Sequence, residues 1–401
     1  MEKLNVYINK KAEEKVLNNH PWVFTSDIVK RDEGIKNGDI VVVRNNKNKY
    51  LGSAFYNDNS KIVLRIISRN ANDTFDYDFF KRRIEYALNY RMKVMPNDLN
   101  AFRLIYGEAD NLSGLTVDKF NDVLVCQILS LGIEVRKDLV LKALYEVVSK
   151  HFTIRGIYLR CDVALREKEG LEEYVGWYDK IPVEDKKTTT KIIENGLKYI
   201  VDFKEGQKTG FFLDQKYNRL SIRNLAKDMT VLDCCTHTGS FAMNAALGGA
   251  KKVVALDIST KALEDAKKNF VLNNLEIETE CADLFDYLRK LVDSKSKEYN
   301  LIILDPPAFT KSKDTIKSAL KGYQEINYLA MKALPRGGYL ATASCSHYAS
   351  EEDFTRAIFN ASVMAGVTLR VVKKAYAAPD HPEIMGIPET KYLKFFIFQV
   401  V

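Results

Sequence analysis

From about residue 190 the sequence alternates between short apolar runs and helix-length segments, and its runs end on aspartates. TVLDCCTH carries Asp233, KKVVALDIS carries Asp257, IETECADLF carries Asp283 and NLIILDPPAF carries Asp305. Helical segments GSFAMNAALGG and STKALEDAKKNFVLNN separate the first three, GYLATASCS reads as a fifth strand, and YLKFFIFQVV as a terminal one. Repeated strand–helix units bury their apolar faces in a mostly parallel sheet with helices on both sides. Ligands of such sheets bind at the carboxyl ends of the strands. The fold class is therefore α/β, with four carboxylates expected along one sheet edge. One strand-end acid most often caps the next helix. Four in register indicate a binding edge.

The 401 residues exceed one ordinary domain, and two or three are expected. Residues 1–70 hold short strands such as DIVVVRNN, KYLGSAFY and KIVLRIIS between Asn, Gly and Asp turns, the pattern of a small β-barrel. Residues 73–185 begin with the helical FDYDFFKRRIEYALNYRMKVM, continue through FRLIYGEADN and LTVDKFNDVLVCQIL, and then through the amphipathic EVRKDLVLKALYEVVSKHF to the strand GIYLRCD, an α+β unit. VEDKKTTTKIIENG (183–196) reads as a linker or hairpin, and 190–401 as the α/β domain.

No stretch approaches the roughly 18 apolar residues of a membrane span, and MEKLNVYINKKAEEK lacks a signal-peptide core. A cytosolic protein with no membrane partner is expected. The six cysteines form no CxxC pair and no zinc spacing, so free thiols and no metal are expected. A net charge of +7 is compatible with a nucleic-acid partner without requiring one.

The first loop, DCCTHTGS, has one glycine, Gly239, where a nicotinamide dinucleotide needs GxGxxG. A ligand without a pyrophosphate needs only one close backbone approach and an acid for its ribose. Gly239 and Asp257 fit S-adenosylmethionine, with Asp283 beside the adenine and Asp233, Thr238 and Ile258 in the same cofactor set. GQKTGFFLDQKYNR (206–219) either covers the methionine end of the cofactor or starts a helix capped by Asp214.

Asp-Pro-Pro-Ala-Phe (305–309) is a rigid strand exit that aims Asp305 and the Pro306 carbonyl into the crevice. Phe309, with Pro307, offers a face on which a base stacks. Such a loop suits methylation of an exocyclic amine and does not by itself choose the acceptor atom. Cys345, on the lip of the fifth strand, bears on that choice. Pyrimidine C5 is a weak nucleophile until a thiolate adds at C6. Cys345 with Asp305 is thus a candidate catalytic pair. Cys234 and Cys235 compete as nucleophiles, and His237 and His347 are candidate proton carriers.

Taken together, HPWVFTSDI, RLIYGEADNLSGLTVDKF, GQKTGFFLDQKYNR, DCCTHTGSFAMNAALGGAKKVVALDIS, LDPPAFTKSK and SCSHY resemble, in order, the class I S-adenosylmethionine-dependent 23S ribosomal RNA methyltransferases of the RlmI type. The resemblance covers nearly the whole chain. It implies an N-terminal PUA-like RNA-binding barrel, a central α+β domain, and a Rossmann-like methyltransferase domain with a mostly parallel seven-stranded sheet. It also implies 5-methylcytosine as product, Cys345 as nucleophile and Asp305 as base-contacting acid. Asp233, Gly239, Asp257 and Asp283 fall on its cofactor positions. Cys-Cys-Thr-His stands in the cofactor loop where an aromatic often occurs.

Two rivals remain at the level of sequence. One is methylation of a purine exocyclic amine in RNA by the Asp-Pro-Pro loop. The other is a non-catalytic RNA-binding or ribosome-assembly factor. The expected partner is large-subunit ribosomal RNA, naked or partly assembled, contacted by the barrel and by Lys311, Lys313 and Lys321. FFIFQVV either runs centrally in the sheet or pairs across a homodimer.

Overall fold

The computed structural model describes residues 4–310 and 313–401, apart from the side chain of Lys313. The chain divides into two compact units. The first comprises Met1–Ile192, Val201–Leu213 and Pro379–Thr390; the second comprises Ile193–Ile200, Asp214–Ala378 and Lys391–Val401.

In the first unit, six strands between Asn5 and Ser68 form one sheet. It is antiparallel except where Asn5–Ile8 lies parallel to Ile40–Asn45. Val6, Ile8, Val41, Val43 and Leu64 alternate onto its buried face. A second sheet of five strands runs from Ala101–Tyr106 to Tyr174–Trp177. Against it pack two helices, Tyr77–Val94 and Lys137–Val148. The first of these starts where the Asp76 carboxylate accepts from the Phe79 N–H at 3.1 Å. Strands Thr189–Glu194 and Leu197–Asp202 form a hairpin whose turn end, Ile193–Ile200, belongs to the second unit. Asn195 (φ 52°) and Gly196 (φ 76°) turn it, both left-handed as a two-residue hairpin turn requires.

The second unit is built on one seven-stranded sheet. Its strands are β1 (Thr230–Cys234), β2 (Lys252–Asp257), β3 (Glu278–Cys281), β4 (Leu301–Leu304), β5 (Tyr339–Ser344), β6 (Leu369–Ala375) and β7 (Lys394–Val400), in spatial order β3-β2-β1-β4-β5-β7-β6. All pairs are parallel except those made by β7, which runs antiparallel to both neighbours. FFIFQV is therefore flanked on both sides within the chain. The helices are α1 (Lys216–Leu225), α2 (Ser240–Leu247), α3 (Thr260–Leu272), α4 (Leu284–Asp293), α5 (Ile316–Ala333) and α6 (Glu351–Ala365). Leu232, Ile302, Leu304, Leu340 and Phe396 from the strands join Tyr323, Ile326, Phe354 and Ile358 from α5 and α6 in one buried cluster. The order reverses between β1 and β4, which places the crevice at their carboxyl ends.

Candidate functional site

The four strand-end acids stand on that edge, but they do different work. Asp233 is fully buried; its Oδ2 accepts from the Thr236 hydroxyl at 2.6 Å and the Ala242 N–H at 2.9 Å. It ties the β1 loop to the first turn of α2. Burial, and more weakly the Asp305 and Asp257 carboxylates, push it up to about 7. Asp257 accepts from the His237 N–H and the Ser259 N–H, each at 2.9 Å, one on each oxygen. A carboxylate oxygen has two acceptor sites, so this arrangement leaves capacity for ligand hydroxyls. Asp283 is exposed and caps α4, accepting from the Phe285 N–H at 2.8 Å and the Asp286 N–H at 3.2 Å. Asp305 accepts at Oδ1 from the Gln215 amide at 3.0 Å.

The loop after β1 is unusual in its backbone. Cys235 (φ 59°), His237 (φ 52°) and Gly239 (φ 79°) are all left-handed. Two of these are not glycine, a strain that persists where surrounding contacts over-determine it. At Gly239 a Cβ would lie 2.3 Å from the Phe270 ring and 3.2 Å from Ala266. Thr238 completes the loop, its carbonyl accepting from the Asn269 amide at 3.1 Å. Ile258, directly after Asp257, is 70% exposed. Together these supply close backbone, a hydroxyl acceptor and an apolar face, the set that a nucleoside ligand requires. Pro306 is buried, and Pro307 is exposed.

Cys345 follows β5 directly, beside the strand that delivers Asp305. Tyr323 of α5 accepts from the buried Ser344 hydroxyl at 3.0 Å. Burial raises that tyrosine to about 12, and Cys345 and Asp305 both add to the rise. Two acidic groups on neighbouring strands thus act on one phenol. The competing thiols are disfavoured. Cys234 is fully buried, and burial with four surrounding carboxylates pushes Cys235 far up, which removes its thiolate at neutral pH. Burial lowers His237, and the His347 ring packs on Tyr392 at 5.1 Å between centroids.

Phe309 is half-buried, with Tyr323 at 4.6 Å and Phe285 at 6.2 Å between centroids, so much of its ring is spent on packing. The N-cap position of α1 is Gln215, and the Asp214 carboxylate accepts from the Tyr392 hydroxyl at 2.5 Å. Lys321 is exposed on α5. Lys311 lies outside the described residues, and so does the side chain of Lys313.

Three site residues escape sequence reasoning. Gln215 holds Asp305, and Asn218 in turn donates to the Gln215 side-chain Oε1 at 2.6 Å. Both are buried polar residues on one helical turn, a faint signal. Lys394 is 3% exposed, and its ammonium donates to the Ser346 carbonyl at 2.6 Å and the Ala349 carbonyl at 2.7 Å. A lysine inside LKFFIFQV is itself the signal.

Comparison with known proteins adds the following. Residues 6–69 match a PUA-like domain, and residues 151–396 match the S-adenosylmethionine-dependent methyltransferase family. "Ribosomal RNA large subunit methyltransferase I" of Pseudoalteromonas atlantica is 38% identical over 401 residues, covering 99% of both chains. The protein of that name from Vibrio cholerae is 38% identical over 403 residues, with the same coverage. That from Klebsiella pneumoniae is 36% identical over 396 residues, 98% of this chain and 97% of the relative. Among solved structures, the methyltransferase SMU.776 complexed with SAH superposes with a TM-score of 0.84 at 21% identity, over 99% of this chain and 100% of that one. A SAM-dependent methyltransferase from Streptococcus mutans gives 0.82 at 21% identity over the same shares. These two likenesses concern the fold.

Proposed function

The chain belongs to the S-adenosylmethionine-dependent methyltransferases, within the ribosomal RNA large subunit methyltransferase I family, and we propose that it methylates C5 of a cytosine in large-subunit ribosomal RNA through a covalent bond between Cys345 and C6. The observation that carries this reading is that Cys345 follows β5 and Asp305 follows β4, its parallel neighbour in the sheet.

S-adenosylmethionine, when bound, supplies the methyl group as an electrophile. Gly239, Thr238, Asp257, Ile258 and Asp283 are the residues that would hold it, with Asp233 shaping the loop, Pro306 lining the crevice and Asp214 bracing it through Tyr392. The Cys345 thiolate adds to C6, so that the S–C6 bond forms and the C5=C6 electron pair moves into the ring. Asp305, held at Oδ1 by Gln215 and protonated when the base binds, shares its proton with N3 while that charge is present and takes it back when the S–C6 bond breaks. C5 is now nucleophilic and takes the methyl group. A base then removes the C5 proton, its electron pair restores C5=C6, and the S–C6 bond breaks to release the thiolate. Pro307 and the uncovered part of Phe309 flank the base.

A groove of about 790 Å³ in the first unit supports an RNA partner. Its lining includes Arg82, Arg83, Tyr86 and Tyr90, and the two tyrosines are 64% and 38% exposed. Arginine beside exposed rings is the chemistry that holds single-stranded RNA. Cytoplasmic action on ribosomal RNA follows from this reading.

Unmodified ribosomal RNA treated with labelled S-adenosylmethionine should give label in 5-methylcytidine, read by nucleoside mass spectrometry. Cys345→Ala should lower that signal by 10³-fold or more, on the order of 4 kcal/mol of barrier. Label in a methylated purine, or full activity of the alanine variant, would return the chemistry to the Asp-Pro-Pro loop alone.

A further inference from the structure

Lys394 opens the apolar strand β7, opposite Ser344 in the β5–β7 register and one residue from Cys345 in that frame. Burying an ammonium is costly unless its donors and its charge are both met. Its donors are partly met, because the carbonyls of Ser346 and Ala349, one and four residues beyond Cys345, bend the loop around it. Carbonyls carry no net charge. The charged groups facing the ammonium are Cys345, Glu351 of α6 and Lys391. Glu351 is already engaged, accepting from the Lys391 ammonium at 3.2 Å and the Tyr376 hydroxyl at 3.0 Å. Cys345 and Asp305, which follows β4, both act on Tyr323 of α5, and Lys374 of β6 acts on Glu351. His347 is turned onto Tyr392. Cys345 is the acid at the start of the loop that the ammonium holds, and it acts on Lys394 in the sense of a counter-charge.

We propose that Lys394 is a positioning residue that keeps Cys345 as a thiolate, its ammonium serving both as counter-charge and as the clamp of the Cys345–Ser350 loop. The inference rests on the reading of Cys345 as nucleophile and names what activates it. A thiol attacks only after its proton is gone, and an adjacent cation stabilises the anion that is left. The proton passes to bulk water when the pair forms. It is needed again only if the thiolate is reprotonated after release. Burial lowers Lys394 to about 8, and Cys345 opposes that fall. The ammonium is therefore retained at pH 7, and the two groups titrate as a pair.

The test is the pH dependence of alkylation by iodoacetamide in the full chain, read peptide by peptide. Cys281, which is exposed, is the internal reference. Cys345 should reach half its maximal rate at least one pH unit below Cys281. Lys394→Met should move that midpoint up to or beyond the Cys281 value, slowing alkylation at pH 7 about tenfold, whereas Lys394→Arg should keep it low. Melting and S-adenosylhomocysteine binding establish that each variant is folded. If the methionine variant does not fold, the unaltered protein and the arginine variant still decide. A midpoint equal to that of Cys281 in the unaltered protein overturns the proposal, and so does one that Lys394→Met leaves in place. Failure of the nucleophile reading looks different: Cys345→Ala would retain methylation although Cys345 of the unaltered protein showed the low midpoint.

Discussion

At the scale of single residues, Asp233 shows how one carboxylate shapes a site without facing it. Its folded value of about 7 lies above the ordinary 3.8, so between those values the folded state holds a proton that the unfolded state has lost. Its contribution to stability therefore falls by roughly 1.4 kcal/mol for each step of one in pH, from about pH 4 to about pH 7, and is constant above. Asp233→Asn removes this dependence. Chemical denaturation should show the asparagine variant gaining on the parent protein by a few kcal/mol between pH 4 and pH 7; a difference that does not change with pH would contradict this. Gly239→Ala meets both a left-handed backbone and the Phe270 ring. It should cost about 1–3 kcal/mol and weaken S-adenosylhomocysteine binding in calorimetry. The acids and Gly239 are legible in sequence because strand ends and lone glycines are local features. The roles of Gln215 and Lys394 are not, since each is defined by a partner 90 or 48 residues away.

At the scale of elements, strands and helices of the second unit follow from apolar runs and helical spacing, and the prolines after β4 mark its end correctly. The function of Phe309 is less legible, because an aromatic beyond a strand looks alike whether it packs on a helix or stacks on a base. The buried Arg219–Glu194 pair is also hidden. It joins α1 to the hairpin, with both side chains at most 2% exposed. Removing one charge strands the other in the interior. Arg219→Met should lower stability by about 3–5 kcal/mol in denaturant titrations, and Glu194→Gln in the same chain should restore part of it. An isolated loss below about 1 kcal/mol would mean that water reaches the pair.

At the scale of the whole molecule, the net charge of +7 matters for RNA more than for folding. Replacing Lys311, Lys313 and Lys321 together by alanine should weaken RNA binding in a salt-dependent way. The slope of log affinity against log salt should fall by about 2, at roughly 0.7 per phosphate contact on a single strand. An unchanged affinity at low salt would remove these lysines from the interface. The division into two units is only partly readable in sequence. Val201–Leu213 and Pro379–Thr390 group with the first unit although the alternating pattern surrounds them, and such returns have no local period. The placement of β7 has a consequence in time. Synthesis is vectorial, and roughly 50 residues separate the end of β5 from the start of β7. At about 5–20 residues per second, the apolar β5 edge waits several seconds for its neighbour. During that interval the nascent chain presents an open, sticky strand. It also lacks Lys394, so on the proposed pairing the Cys345 thiol emerges before its counter-charge.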